Sequence, residues 1–208
     1  MAKIGLNSIF YSKLTEQNDG TPVYDGAKSF GRAISANASI TSNSAKLYGD
    51  DVLIESDNSF QSGTLTLGVD DDRDTVFAPV LGHTLKSDTG EVVYNSEDTA
   101  PYVGIGRVVV KMVNNVRSYK AIILYKVKFA EPSEEDNTKG ESLEFGTPEI
   151  EGDISTLANG DWKDTKIFTT RAAAVAFIES VFAAPAGTET TPATETTPAT
   201  ETTENNNG

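Results

Sequence analysis

The sequence predicts a mainly β protein of α+β type, a sandwich or barrel with one or two flanking helices. Apolar and polar residues alternate with a period of two over most of residues 1–162, and clusters of Gly, Asn, Asp and Ser separate the alternating stretches. Two short segments have helical spacing instead. The end of the chain has neither pattern. We therefore expect one folded domain at 1–184, followed by a tail at 185–208.

Two long strands are predicted at the centre of the sheet. The second places six alternating residues on one face: Tyr119, Ala121, Ile123, Tyr125, Val127 and Phe129. Its opposite face is apolar at Ile122 and Leu124, so we expect both faces to be covered. Residues 102–113 form the first strand, and the turn residues at 114–118 predict a hairpin between them. Another strand places Leu65, Leu67 and Val69 on one face.

A change of phase predicts a bend in the sheet. Apolar residues fall on odd positions at Leu143 and Phe145, then on even positions at Ile150 and Ile154, beyond Pro148. A β-bulge or bend produces such a change. We expect two sheets joined there.

Two helices interrupt the strands. The first buries Val76, Phe77, Val80 and Leu81, with Asp72 or Asp74 as its cap. It stops at Gly82, and Pro79 limits it to little more than two turns. The second runs from Thr169 or Thr170 to about Phe182. Its apolar face consists of Ala174, Phe177, Ile178, Val181 and Phe182.

The predicted tail repeats Thr, Glu and Pro without an aromatic or branched aliphatic residue. Such a segment cannot bury enough apolar surface to offset its chain entropy, so we expect disorder. Its acidic residues are Glu189, Glu195, Glu201 and Glu204. Without these four the formal net charge of −14 becomes −10, so the acidity belongs mainly to the folded part.

Composition excludes several kinds of site. The chain has no cysteine, hence no disulfide and no thiolate chemistry. We expect no secretory signal at the start and no membrane span, because the apolar runs are too short. A net charge of −14 repels polyanions at long range, so tight DNA binding is not expected.

Residues that could carry chemistry are few, and we predict no catalytic, cofactor or metal site. The single histidine, His83, has no recognisable nucleophile partner and is interpreted as structural. Asp70, Asp72 and Asp74 begin a calcium-loop pattern, but Thr75 and Leu81 occupy its required glycine and glutamate places. We interpret these aspartates as helix-capping residues.

Three other features have ordinary structural interpretations. A cluster of acidic residues, Glu131, Glu134, Glu135 and Asp136, is typical of a solvated loop. Gly104 and Gly106 lack the third glycine and the helix of a phosphate-binding turn. We interpret both as strand glycines at a twist or close approach.

One long connection, residues 41–60, has features of an interaction element, since connections of this length are uncommon in compact domains. Its centre predicts a small hairpin with exposed apolar residues that requires a partner. The candidate assembly residues are Leu47, Tyr48, Asp50, Asp51, Val52, Leu53 and Ile54.

Several segments, in order over about residues 2–163, resemble the major tail protein family of long-tailed siphophages of Gram-positive bacteria. They are Ala2–Leu6 with Tyr11, Ala33 to Asp51, Leu81–Thr84, Thr99–Val103 with Gly104 and Gly106, Leu124–Lys126, Phe129 to Pro132, Thr138–Ser142, and Glu144–Pro148. Their order of occurrence carries the resemblance, and no single segment is a catalytic fingerprint.

The resemblance implies a tail-tube-type β-sandwich or barrel and a structural role in the virion tail. Subunits of that family form hexameric rings that stack into a DNA conduit, with an arm reaching the adjacent ring. It further implies assembly in the host cytoplasm, with partners including the tape measure protein, the tail terminator and distal tail or baseplate proteins. Double-stranded DNA is expected to pass through the lumen without tight binding.

Two other functions compete with this expectation. One is a β-sandwich adhesion module on a Thr/Pro-rich stalk, which requires export. The other is an enzyme that uses two carboxylates, such as a glycosidase, although nothing in the sequence selects one pair.

Overall fold

The computed structural model describes residues 2–70, 73–86, 88–133 and 147–184. Within them are thirteen strands and two helices, which confirms the predicted mainly β class with two helices. The strands are β1 (Ala2–Glu16), β2 (Pro22–Tyr24), β3 (Lys28–Gly31), β4 (Ala33–Ser42), β5 (Lys46–Gly49), β6 (Val52–Ser56), β7 (Phe60–Val69), β8 (Thr84–Lys86), β9 (Glu91–Val93), β10 (Val103–Val113), β11 (Val116–Phe129), β12 (Glu149–Ser155) and β13 (Lys163–Phe168). Helix α1 (Asp74–Leu81) follows β7, and α2 (Arg171–Val181) follows β13.

One antiparallel sheet of nine strands dominates the fold. Its order is β2-β1-β10-β11-β12-β7-β4, with β13 also paired to β11 and β3 also paired to β1. Side chains from strands far apart in this order, such as Ile9, Leu67 and Phe129, meet in one buried cluster. The sheet therefore wraps around its core. The two sheets expected from the phase change are instead hydrogen-bonded into one.

The central hairpin has the length that the sequence predicts. Val113 pairs with Val116, so the turn is only Asn114 and Asn115, and residues 116–118 belong to β11 and not to the turn. The φ angles of the two asparagines, 48° and 62°, are those of a type I′ turn, which matches the twist of the flanking strands.

A bulge divides β11 between two cores. Val103 pairs with Val127 but Ile105 pairs with Leu124, which leaves one extra residue in β11. Ala121 and Ile123 consequently face α2, whereas Val127 and Phe129 face the core inside the wrapped sheet. The prediction that all six alternating residues share one face is therefore wrong. The expected cover on both faces is confirmed, since residues 121–124 are all buried.

Helix α2 packs on β10 and β11 as expected. The hydroxyl of Thr170 accepts a hydrogen bond from the backbone N–H of Ala173 at 3.2 Å, which caps the first turn. Ala174, Ile178 and Phe182 are fully buried. The helix comes so close to β10 that a Cβ atom on Gly104 would lie 2.6 Å from Cε1 of Phe182. This confirms the close-approach interpretation of the strand glycines.

Helix α1 has the predicted extent but a different N-terminus. Its N-cap is Arg73, which makes no side-chain capping hydrogen bond, and Asp74 lies inside the first turn. The prediction that Asp74 is the cap is therefore wrong, although its charge still favours the helix dipole. Gly82 ends the helix with a φ of 91°, as expected of a C-terminal glycine.

Several predictions concern residues outside the described ranges. These are Asp71 and Asp72, the acidic residues 134–136, the apolar residues Leu143 and Phe145, and the tail at 185–208. Among the described helices, none is long and apolar enough to cross a membrane.

Candidate assembly surfaces

The seven candidate assembly residues lie together on the β5–β6 hairpin, residues 46–56, which we call the arm. Five large apolar side chains of the arm are between 46% and 65% exposed: Leu47, Tyr48, Val52, Leu53 and Ile54. Scattered apolar side chains are normal on a protein surface, but a contiguous set usually marks an interaction site.

The base of the arm is held by polar contacts to the ends of β4 and β7. The backbone N–H of Asn43 donates to the carbonyl of Ser59 at 2.9 Å, and Asp57 N–H donates to the carbonyl of Ala45 at 2.9 Å. The Asn43 side-chain amide also donates to Ser59 Oγ at 2.9 Å. Hydrogen bonds from Ser59 to Asp57 lower the pKa of that carboxyl group. The arm is thus anchored by polar groups and presents apolar ones.

Two aspartates form the tip of the arm. Gly49 pairs with Val52, so Asp50 and Asp51 make a two-residue turn, and their φ angles of 49° and 61° are again of type I′. Both residues are exposed. The tip therefore presents two carboxylates next to the exposed apolar side chains.

A second surface, which the sequence did not reveal, lies on the central strands. Its five basic residues come from four neighbouring strands and share one side of the sheet: Lys3, Arg107, Lys111, Lys120 and Lys163. The strand registers establish this, because directly opposed residues point to the same side. Lys3 opposes Lys111, Val109 opposes Lys120, and Leu124 opposes Lys163. We call this surface the cationic face.

Arg107 lies at the inner end of the cationic face, opposite Ile9 on β1 and Ile122 on β11. It is 9% exposed, and its Nε and Nη1 atoms have no hydrogen-bond partner among the described residues. Burial lowers the pKa of this guanidinium group. An unpaired buried cation is unfavourable, so this arrangement calls for an explanation.

The lysines of the cationic face repel one another. Burial, then Lys111 and Lys3, lowers the pKa of Lys120. Burial, then Lys120, Arg107 and Lys3, lowers the pKa of Lys163. Within the described ranges none of the five basic groups forms an ion pair, although Lys28, Lys86 and Lys126 elsewhere each contact a carboxylate.

Sequence reasoning missed this surface for a physical reason. The basic residues are spread from position 3 to position 163, and only the pairing of β1, β10, β11 and β13 brings them together. The local signal was limited to the alternation of Lys111 with Val110 and of Lys120 with Ala121.

The single histidine is part of a polar cluster beside α1. Its Nδ1 atom lies 2.8 Å from Oδ2 of Asp98, its Nε2 atom contacts a carboxylate oxygen of Glu131, and its ring lies 4.2 Å from the ring of Tyr94. The imidazole is almost fully buried. Burial alone would lower the pKa of His83, but the hydrogen bonds to Asp98 and Glu131 outweigh it and raise the pKa.

A cleft of about 340 Å³ adjoins His83 and contains Asp25. Asp25 accepts hydrogen bonds from Ser12 Oγ at 3.0 Å, from the Lys13 backbone at 2.8 Å and from Lys28 Nζ at 2.6 Å. Burial opposes ionisation, yet these donors lower the pKa of the carboxyl group. A general acid of a two-carboxylate enzyme needs the opposite shift.

Asp70, in the described part of the aspartate cluster at 70–74, contacts other parts of the chain. The Asp70 carboxylate accepts the Arg32 backbone N–H at 2.9 Å and lies 3.9 Å from the guanidinium groups of Arg32 and Arg73. Over the described ranges, no group of three or more His, Cys, Asp or Glu residues is arranged to hold a metal ion.

Comparison with models of known protein families finds no match, and comparison with curated proteins finds none either. The described residues define a mainly β protein with two helices, an exposed apolar arm and a cationic face whose basic groups have no ion pair within those residues.

Proposed function

We propose that the protein is a structural subunit of a phage tail tube, which stacks as rings into a conduit for DNA. The arm is the observation that carries this proposal. Its five exposed apolar side chains are held away from the core by an anchored base, so they are available to another chain and costly to leave in water. The ordered sequence segments similar to siphophage major tail proteins supply the kind of assembly.

The two surfaces also suit a subunit that repeats. The arm and the cationic face differ in shape and charge, so a contact between two copies through them is heterologous. Contacts of that kind generate rings when they close and filaments when they do not. The proposed copy number of a ring is six, from the family resemblance.

The proposed partners are other copies of the chain first, then the tape measure protein, the tail terminator and the distal tail or baseplate proteins. The proposed location is the virion tail, after assembly in the host cytoplasm. An anionic lumen wall, which the formal net charge of −14 favours, would let double-stranded DNA pass without displacing its counterions.

Negative-stain microscopy of the purified full chain tests the proposal, with rings or hollow tubes as the expected result. Val52→Ser combined with Ile54→Ser should abolish them, because it removes two exposed apolar contacts of the arm. Ile34→Ser is the matched control, since Ile34 is comparably exposed but lies outside the arm. A wild-type chain that stays monomeric at high concentration would contradict the proposal and favour an adhesion module or an enzyme.

A further inference from the structure

The cationic face is incomplete in an isolated subunit. Arg107 is buried without partners for two of its nitrogens, and the four lysines of the face have no carboxylate partner among the described residues. The same side of the sheet also carries apolar residues beyond Lys111 and Lys120. Val113, Val116 and Ile167 are 36%, 69% and 49% exposed. A ligand for this face must therefore provide both negative charge and apolar surface.

We infer that the cationic face is the docking site for the arm of a second copy of this chain, whose Asp50–Asp51 turn provides the carboxylates. The inference rests on the proposed function, because it names the surface that receives the arm.

The arm has both properties that the face requires. Its turn carries two adjacent carboxylates, and the flanking Leu47, Tyr48 and Val52 are exposed on either side. Nε and Nη1 of Arg107 are buried and do not lie on one edge of the guanidinium group, so the carboxylates of the arm contact the lysines directly and experience Arg107 through its positive charge.

The occupant is a second copy and not the arm of the same chain. Within one subunit the arm is exposed, and the basic groups of the cationic face have no acidic partner in the described ranges. The two surfaces therefore do not meet inside a subunit. Because each copy has one of each, every docked copy leaves a free arm and a free face, and the contact propagates.

A nucleic-acid backbone fits the face less well. It would satisfy the lysines, but it has no apolar surface to cover Val113, Val116 and Ile167. The chain as a whole also carries 31 acidic residues against 17 basic ones, which opposes the approach of a polyanion.

Charge substitutions provide the main test. Lys111→Glu with Lys120→Glu reverses the face, and Asp50→Asn with Asp51→Gly removes both carboxylates of the arm with residues that tolerate its left-handed turn. Each double variant should weaken self-association by about tenfold or more in sedimentation velocity, because the opposite charges no longer meet at the contact. A chain that carries all four substitutions should associate more strongly than the face variant, because the new glutamates then meet no carboxylate. Unchanged association of the face variant, or no recovery in the fourfold variant while circular dichroism shows a folded chain, would overturn the inference.

A second test replaces Arg107 and measures both the melting temperature and the self-association, because a merely structural role would change only the first. Arg107→Met should raise the melting temperature of the unassembled subunit, because it replaces an unpaired buried cation with an apolar side chain of similar length. The same variant should weaken self-association. If Arg107→Met associated as strongly as the wild type, Arg107 would have no role in docking.

Direct binding of DNA distinguishes a nucleic acid from a second copy of the chain as the occupant of the face. A fluorescently labelled double-stranded oligonucleotide should bind the wild-type chain weakly or not at all at physiological salt. Tight binding that disappears in the Lys111→Glu and Lys120→Glu variant would overturn the inference in favour of nucleic acid. Tubes that form equally well with the reversed face would refute the docking site but leave the tube proposal standing, whereas a monomeric wild type would refute both.

Discussion

The imidazole of His83 joins two carboxylates, with Nδ1 2.8 Å from Oδ2 of Asp98 and Nε2 against Glu131. These contacts link the residue after α1 to the loop that precedes β10 and to the residues that follow β11. Both hydrogen bonds raise the pKa of His83, and the bond to His83 is the main reason that the pKa of Asp98 is lowered. The cluster therefore stabilises the fold most when the histidine is charged.

Replacing His83 should give a pH-dependent loss of stability. The folded-state pKa of His83 is above its ordinary value of 6.5, so its contribution is fully present below about pH 6.5 and disappears as the pH rises through the folded value. Asp98 contributes above its ordinary pKa of 3.8 and loses that contribution as the pH falls through its lower folded value.

His83→Gln should therefore lower the free energy of unfolding by about 1–3 kcal/mol near pH 5, with a smaller loss at pH 8. Urea denaturation at both pH values measures the difference. Asp98→Asn is the control, because it removes the larger of the two pairings that raise the histidine pKa and should flatten the pH dependence. A loss of equal size at both pH values would refute the charged-histidine explanation.

The contact between α2 and β10 should not tolerate a methyl group at Gly104. A Cβ atom there would lie 2.6 Å from Phe182 and 2.7 Å from Tyr24, and the Tyr24 hydroxyl is held by the carbonyl of Tyr125 at 2.9 Å. We expect Gly104→Ala to destabilise the fold by about 1–3 kcal/mol in thermal or urea unfolding, as overpacking does. Gly5→Ala has nothing within 4 Å of the new atom and should change stability little. Equal effects of the two substitutions would argue against the close approach.

The turn of the central hairpin should accept glycine at position 115 without loss of stability. Asn115 has a φ of 62°, a conformation that glycine adopts without steric strain and that Asn tolerates better than most residues. Asn115→Gly should keep or raise the melting temperature, whereas Asn115→Ala should cost about 1–2 kcal/mol through left-handed strain. If alanine were as stable as glycine, the type I′ turn would not be the form present in solution.

The start of α2 depends on one side chain. Thr170 caps the helix through its hydroxyl, so Thr170→Ala should cost about 1 kcal/mol of unfolding free energy. Thr169→Ala is the matched control, because the neighbouring Thr169 is exposed and makes no capping contact. A similar loss at both positions would show that the cap contributes no specific stability.

Local patterns predicted much of this fold. The alternation at Leu65, Leu67 and Val69 and the helical spacing from Ala174 to Phe182 are determined by neighbours in sequence, and both are confirmed. The hairpin of the arm is local as well, and its two-residue turn follows from Asp50 and Asp51.

Features that depend on pairing between distant strands were not predicted. The bulge in β11 arises from its register with β10, so the sequence pattern wrongly continued one face to Phe129. The small β8–β9 hairpin has too few residues for a periodic signal. The cationic face exists only because Lys3 and Lys163 flank Lys111 and Lys120 in the folded sheet.

The cationic face concentrates five of the chain's 17 basic residues on one side of a molecule with a formal net charge of −14. Two copies therefore repel each other at a distance, but an approach that brings the acidic tip of one arm towards the cationic face of the other copy is opposed less. Salt screens both effects over about 8–10 Å. Ionic strength should consequently govern the orientation of an arriving copy as well as its speed of association.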